Sequence, residues 1–336
     1  MMKLIIQIPC FNEADTLPVT LKELPREVAG FSRVEWLVVN DGSTDRTEEV
    51  ARQCGVDHVV SFTGNRGLAR AFLAGLDAAI RLGADVIVNT DADNQYVAAD
   101  IPILTAPILA GKADIVIGSR PIGEITSFSP IKKFLQKAGS AVVRFVSRTD
   151  IPDAPSGFRA MSREAAMRFN VFNDYTYTLE TIIQAGQKSI AITSVPVRVN
   201  KALRPSRLVK SIPSYLGKSV VTIVRIFVVY KAFRFFMSVG LALFCAGLFG
   251  GLRFLYYYFT GDGSGHVQSL IFASILLGIG FQTMLTAFLA DLLAVNRRLM
   301  EDVQYRIKML EYESTGQPSP RGGTESVRRT GRKTAG

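Results

Sequence analysis

The chain has 336 residues, 48% hydrophobic and 20% charged, with a formal net charge of +10 at pH 7. Its three cysteines (Cys10, Cys54, Cys245) are widely spaced and its only histidines are His58 and His266, which argues against a disulfide framework, a Cys/His zinc site and a Ser-His triad. The basic excess gathers between residues 198 and 234 and again after 320, beside apolar stretches, so an anionic lipid surface is a better partner than nucleic acid.

Met1-Met2-Lys3 leads straight into a strand-like run at 4–8 with no signal-peptide pattern. Further strands are expected at 34–39, 56–62, 86–90 and 115–118. Helices are expected at 16–24, 45–54 and 68–82, the last with Leu68, Phe72, Leu76 and Ile80 every four residues. Strand-helix alternation predicts an α/β fold with a mostly parallel, Rossmann-like sheet covered by helices on both faces. Ligands of such sheets sit at the carboxyl ends of the strands, and the polar clusters of this chain fall there.

The first cluster, Pro9-Cys10-Phe11-Asn12-Glu13, follows the first strand; read alone it is as readily a plain strand exit with a helix start as a functional cluster. In the second, Asn40-Asp41-Gly42-Ser43-Thr44-Asp45, Gly42 permits a turn and Asp45 can cap the next helix. Asp41 is a carboxylate at a strand terminus, able to accept hydrogen bonds from a base or ribose. The third runs from Asn89 through Asp91-Ala92-Asp93 to Gln95. Two carboxylates one residue apart can turn toward one Mg2+ or Mn2+ where the chain bends, with water and phosphate oxygens completing the shell. A diphosphate leaving group needs its developing charge neutralised in that way.

After residue 195 the chain turns basic and then apolar. Residues 208–230 have helical spacing, with Lys210, Lys218 and Arg225 among apolar residues. That pattern fits a helix in the membrane interface, with a helix packed on the soluble domain as the alternative. Residues 235–252 carry no charge and 269–290 form a longer apolar run; each can cross a hydrocarbon core of about 30 Å. The loop Gly261-Asp262-Gly263-Ser264-Gly265-His266 has no Lys or Arg, whereas Lys231, Arg234, Arg297 and Arg298 flank the pair. The positive-inside rule then places the loop outside and the catalytic domain and both termini in the cytoplasm. Leu299, Val303, Ile307 and Leu310 recur among charges, which leaves an oligomer contact or a membrane-surface helix open. The expected layout is an α/β domain at 1–203, interfacial helices at 204–231, a two-helix hairpin within 232–292 (spans at about 235–257 and 268–290), an amphipathic helix at 293–313 and a disordered basic tail at 314–336.

Six motifs in order carry a resemblance: Pro9 to Glu13, Asn40 to Asp45, Asn65-Arg66-Gly67, Asp91-Ala92-Asp93 with Gln95, Gly118-Ser119-Arg120, and Asp153-Ala154-Pro155-Ser156-Gly157-Phe158-Arg159. The chain resembles family 2 inverting glycosyltransferases of GT-A fold over residues 3–210, and more narrowly the polyprenyl-phosphate sugar transferases. The resemblance implies that Pro9, Phe11, Glu13 and Asp41 hold the nucleotide of a UDP or GDP sugar, and that Asp91 and Asp93 engage a metal-bound diphosphate. It places Gln95 near the donor sugar. It assigns the phosphate of a dolichyl or undecaprenyl acceptor to Arg120, Lys132, Ser156, Arg159, Arg204 and Arg207, and makes Asp153 a catalytic or orienting carboxylate. Lys132 stands where relatives often have Arg, Arg207 where Lys is common, and Asn94 where many have an apolar residue. A tight turn with Arg159 paired to a structural carboxylate is the alternative for 153–159, and Glu180 reads equally as a family position or a solvent-facing helix residue. A glycolipid or polysaccharide acceptor, a non-catalytic nucleotide-sugar-binding scaffold, and homo-oligomerisation stay open.

Overall fold

The computed structural model describes residues 2–121, 130–169, 177–200, 231–261 and 267–314. The elements in order are β1 (Lys3–Cys10), α1 (Leu17–Glu23), β2 (Arg33–Asn40), α2 (Thr47–Gln53), β3 (His58–Ser61), α3 (Leu68–Arg81), β4 (Val86–Asn89), a 3-10 turn (Ala98–Asp100) running into α4 (Ile101–Leu109), and β5 (Ile115–Ser119). They continue with α5 (Pro130–Ser147), β6 (Arg159–Ser162), α6 (Arg163–Met167), α7 (Thr178–Gln187), β7 (Ile192–Pro196), α8 (Ala232–Phe259) and α9 (Val267–Ser314).

One seven-stranded sheet has the order β3-β2-β1-β4-β6-β5-β7. Every neighbouring pair is parallel except those made by β6, which runs antiparallel between β4 and β5. Strands buried on both faces read as continuous apolar runs, and successive side chains point to opposite faces. Ile5, Leu37, Val39 and Ile87 therefore pack with Phe72, Leu76 and Ile183 in one core. Leu4, Ile6, Val38, Val86 and Val88 pack with Leu17, Leu21, Ile101 and Leu104 in the other.

Two polar residues interrupt these runs. Gln7 and Asn89 are partners in the β1–β4 register and both are fully buried, so each must find hydrogen bonds inside the protein. Gln7 Nε2 donates to Asn89 Oδ1 at 2.9 Å. Its Oε1 lies against Gly75, where a Cβ would come within 2.5 Å. That contact accounts for a glycine in the middle of α3, where it weakens the helix.

α8 (28 residues) and α9 (48 residues) are long and apolar enough to cross a membrane. They meet along small residues, since a Cβ on Gly280 would lie 2.6 Å from Phe244 N and one on Gly247 2.8 Å from Leu277 N. Close backbone approach through small residues is the packing mode available where no hydrophobic force drives helices together.

The second apolar run and the stretch 293–313 belong to one helix, because α9 runs unbroken for about 70 Å. Its last turns dock on the α/β domain. Arg163 Nη1 donates to Tyr312 Oη at 2.6 Å while Nη2 bonds Gly83 O and Asp85 Oδ1. Lys188 Nζ lies 3.0 Å from Glu301 Oε2, and the Arg168 guanidinium is 5.2 Å from the Tyr305 ring centroid. Tyr305, Met309 and Tyr312 join the core that contains Phe72 and Met167. Beside them, Leu73, Asp77, Ala166, Phe169 and Lys308 line a cavity of about 250 Å3. The interfacial segment 204–231 apart from Lys231, the loop 262–266 and the tail beyond 314 lie outside the described residues.

Tyr312→Phe, which keeps the ring and removes the hydroxyl facing Arg163, is expected to cost about 1.5–3 kcal/mol in urea unfolding of the detergent-solubilised protein. Tyr312→Ala is expected to cost about 3–5 kcal/mol. Unchanged midpoints in both would mean that α9 is not docked in solution.

Candidate active site

β1, β2 and β4 end side by side, and the three loops that leave them are bonded to one another. Asn12, in the left-handed region with φ 54°, accepts the Thr44 amide on Oδ1 at 2.8 Å and donates its own amide to Ser43 Oγ at 2.9 Å. Glu13 N donates to Thr47 Oγ1, and Ala14 N to Asp45 Oδ2. Asp45 also accepts the Thr47 amide, at the start of α2. Partial burial would raise its pKa, but these donors from Thr47 and Ala14 hold it below the ordinary value. Gly42, at φ 65°, lies flush on the next loop, since a Cβ there would stand 2.3 Å from Gly64 C.

Asp41 is buried, and its two oxygens accept the amides of Arg66 and Gly67 at 2.7 and 2.9 Å, ahead of α3. A carboxylate has about four lone-pair sites, so this anchoring leaves acceptor capacity toward a ligand. Pro9 is buried within β1 opposite Val39. Phe11 is 38% exposed at the rim, and Glu13 is buried with Oε2 accepting from Thr16 Oγ1 at 2.6 Å.

The Asp91-Ala92-Asp93 turn follows β4. Ala92 is buried and its carbonyl accepts from Thr20 Oγ1, while Asp91 and Asp93 are partly exposed. Asp93 Oδ1 accepts the Gln95 amide at 3.1 Å. Asn94 closes the turn at φ 55°, a conformation that asparagine tolerates far better than the branched apolar residues; this is the physical reason for asparagine at that position. Burial drives the Asp91 carboxyl up to about 7, and the neighbouring Asp93 charge adds to this against Arg120 and Arg159.

Gly157 lies directly on Asp91, with an imagined Cβ 2.9 Å from both carboxylate oxygens. Its backbone is held from both ends. Asn89 Nδ2 donates to Gly157 O at 2.8 Å and to Tyr177 Oη at 3.0 Å, and Gly157 N donates to Tyr96 Oη at 3.0 Å. Tyr96 stacks on Phe158 at 5.0 Å, and Tyr177 on Phe72 at 3.8 Å. Burial raises the pKa of both phenols, so each stays a neutral hydrogen-bonding group. Sequence reasoning missed Asn89 as a support, Gln7, Tyr96 and Tyr177. The available signal was two polar residues inside apolar strand runs at facing positions.

Arg120 and Asp153 form a buried bidentate pair, Nε to Oδ2 at 2.7 Å and Nη2 to Oδ1 at 3.0 Å, with side-chain exposures of 8% and 0%. Nη1 makes no hydrogen bond to the described residues. Although burial would weaken protonation, the Asp153 carboxylate bonded to it keeps Arg120 firmly charged.

Ser156 and Arg159 do not sit where an incoming phosphate could meet them. Both are at most 1% exposed, and the Arg159 guanidinium bonds Thr181 Oγ1 at 2.6 Å and the carbonyls of Thr178 and Ser156. Arg159 begins β6 and braces it against α7, with two carbonyls and a hydroxyl as hydrogen-bond partners rather than a structural carboxylate. Glu180, on α7, is buried and not solvent-facing. Lys132 belongs to α5, but its side chain, like Arg204 and Arg207 entirely, lies outside the described residues. The chain reaches that basic segment from Asn200, whose amide donates to Gln95 O at 2.8 Å beside the Asp91–Asp93 turn.

The family model for Glycosyl transferase family 2 matches residues 5–169. An uncharacterized protein of Methanocaldococcus jannaschii is 30% identical over 204 residues, 58% of this chain and 81% of its own length. The polyprenol monophosphomannose synthase of Mycolicibacterium smegmatis is 29% identical over 204 residues, 57% and 76% of the two chains. The undecaprenyl-phosphate mannosyltransferase of Micrococcus luteus is 29% identical over 235 residues, 67% and 93%. Among solved structures, glucosyl-3-phosphoglycerate synthase from Mycobacterium tuberculosis superposes with a TM-score of 0.53 at 21% identity, covering 68% of this chain and 79% of that one. The same enzyme has also been crystallised with Mn2+, UDP and phosphoglyceric acid.

Two outcomes follow from the buried charges. A carboxyl held neutral by the fold favours folding below its unfolded pKa of about 3.9, and that contribution is lost as pH climbs through about 7. With EDTA present, Asp91→Asn should therefore gain thermal stability relative to wild type on going from pH 5 to pH 8; the opposite trend would contradict the assignment. Asp153→Asn strips the counter-charge from buried Arg120 and is expected to cost about 3–5 kcal/mol in chemical unfolding, with the Arg120→Met/Asp153→Leu pair recovering part of the loss.

Proposed function

The chain belongs to glycosyl transferase family 2 and has its GT-A fold, and from that premise we propose that it is a membrane-anchored inverting transferase moving a sugar from a nucleotide-diphosphate donor to a polyprenyl phosphate. The observation that carries the reading is the Asp91–Asp93 pair at the carboxyl edge of the sheet, backed by the oriented Arg120–Asp153 pair and followed in the chain by two helices of membrane-spanning length. Two relatives act, by name, on polyprenol or undecaprenyl phosphate.

The residues fit a divalent cation. The donors are hard oxygens, suited to Mg2+ or Mn2+, and Asp91 is a carboxylate with a raised pKa beside a second one. No cluster of three or more His, Cys, Asp and Glu side chains with ligand geometry occurs among the described residues, so the pair would act together with donor phosphate oxygens and water. Once bound, the cation neutralises charge on the departing nucleotide diphosphate.

The chain's own groups do the rest. Phe11, Glu13 and Asp41 line the side on which the base and ribose would lie, and Gln95, held between Asp93 and Asn200, would approach the sugar. Asp153 has both oxygens committed to Arg120, so we assign it the orienting role. It fixes the guanidinium with Nη1 available to the acceptor phosphate, where a planar Arg donor is effective. A phosphate monoester with a second pKa near 6 is largely dianionic at neutral pH. Its attack on the anomeric carbon therefore needs placement more than a base. Lys132, Arg204 and Arg207 would add cationic contacts at the lipid side. Flanking Lys231, Arg234, Arg297 and Arg298, against a loop without Lys or Arg, support a cytoplasmic catalytic domain.

The test is transfer from labelled UDP and GDP sugars to dolichyl and undecaprenyl phosphate by the detergent-solubilised protein, with Mg2+ or Mn2+ and with EDTA. One donor should give a cation-dependent, mild-acid-labile lipid product. Gly157→Ala, which pushes a methyl onto both Asp91 oxygens, should lower turnover about 100-fold in a folded protein. Label appearing only in endogenous glycolipid or polymer would replace the acceptor, and full turnover in EDTA would remove the cation.

A further inference from the structure

Past Arg297 and Arg298, where the membrane border falls in the reading above, α9 continues to Ser314, and its two sides differ. Glu301, Tyr305, Lys308, Met309 and Tyr312 face the α/β domain. At 3.6 residues per turn the opposite side presents Leu299, Met300, Val303, Ile307 and Leu310, which are 48–68% exposed. A stripe of that kind beyond the bilayer is an interaction surface.

Its spacing says what kind. Met300, Val303, Ile307 and Leu310 follow one another at intervals of three, four and three, which is the a/d seam of a coiled coil. In the same register the docked residues occupy only b, c and f positions, so the catalytic domain stands clear of the seam. Leu293, 68% exposed, keeps the a position seven residues before Met300, with Asn296 at the d position between them. The flanks are complementary in charge. Arg306, which holds Asp302 at 3.0 Å within its own helix, falls at g and Glu311 at the following e, five residues on; in a parallel pair these two positions face each other across the seam, and both side chains are exposed. Copies inserted in one membrane with one topology necessarily run parallel.

We propose that a second copy of this chain docks on this stripe, forming a parallel seam between the cytoplasmic halves of two α9 helices with a catalytic domain on the outer side of each. The proposal rests on α8 and α9 spanning the membrane.

The experiment uses the full chain in its membranes with the exposed Cys245 changed to Ser. Under copper-phenanthroline oxidation, Ile307→Cys at an a position should give a disulfide-linked band of twice the chain mass, roughly tenfold stronger than Asp302→Cys on the c face. An Ile307→Glu/Leu310→Glu variant should run at monomer mass in light scattering where the parent runs as a dimer. Equal linking at 302 and 307, linking of Ile307→Cys to a protein of another mass, or no linking because lipid or another segment of the chain covers the stripe would each overturn the proposal. Carbonate extraction separates the premise from the inference. Protein that stays in the membrane pellet without linking defeats the seam alone, whereas release by carbonate defeats the spanning reading and the parallel seam with it.

Discussion

Asn89 ends β4 with its side chain beneath the carboxyl edge of the sheet, and the site is assembled around what that amide holds. Its Nδ2 reaches both the carbonyl of Gly157 and the hydroxyl of Tyr177, and its Oδ1 is held by Gln7 from the neighbouring strand. All of these groups are buried, so loss of any one leaves another unsatisfied in a low-dielectric interior, at a cost well above the net value of a surface hydrogen bond. The consequence is positional. Gly157 is pressed against the Asp91 carboxylate, and the loop leading into β6 becomes the floor of the acidic turn. The antiparallel insertion of β6 between β4 and β5 makes this contact possible, because it brings the start of that strand, rather than its end, to the catalytic edge.

The same floor organises charge. Arg159 is a structural cation bonded to the Thr181 hydroxyl and to the carbonyls of Thr178 and Ser156, while Arg120 is fixed by Asp153. Two arginines near one acidic pair thus have separate duties, one supporting the loop and the other presenting a donor. At the far side of the domain, the continuous α9 ties the pair of apolar helices to α6 and α7 through Arg163, Arg168 and Lys188. The α/β domain is therefore held against the two long apolar helices along a packed interface, which restricts how its open edge can tilt relative to them.

Much of this was legible because buried parallel strands leave unbroken apolar runs; β1, β2, β4 and β5 fell within two residues of their expected bounds. β3 is shorter than its run of β-branched residues suggests, since Asp57 precedes it and uses its carboxylate on Trp36 N and Arg26 instead of continuing the ladder. β6 was invisible, being four residues of no clear period that begin with a buried arginine. α4 was hidden by Pro102 and Pro107, one tolerated at the first turn and the other inside the helix. In α9 the eye follows Leu299, Val303, Ile307 and Leu310, which form the exposed face. The docked face is built from Glu301, Tyr305 and Tyr312, whose aromatic rings and charged partners leave no apolar signature. The acidic turn and its neighbouring loops were readable as chemistry, but the burial of Ser156 and Arg159 depends on packing from α7 that no local pattern announces.

In the proposed function Asp91 and Asp93 hold a divalent cation jointly with the diphosphate of the donor. Electron paramagnetic resonance of Mn2+ added to the purified protein, with and without UDP or GDP, reads that arrangement directly through phosphorus hyperfine coupling. Mn2+ should bind tightly only when the nucleotide is present, show coupling to phosphorus and fail to bind Asp93→Asn protein. Mn2+ bound without phosphorus coupling, or bound equally well by that variant, would contradict it.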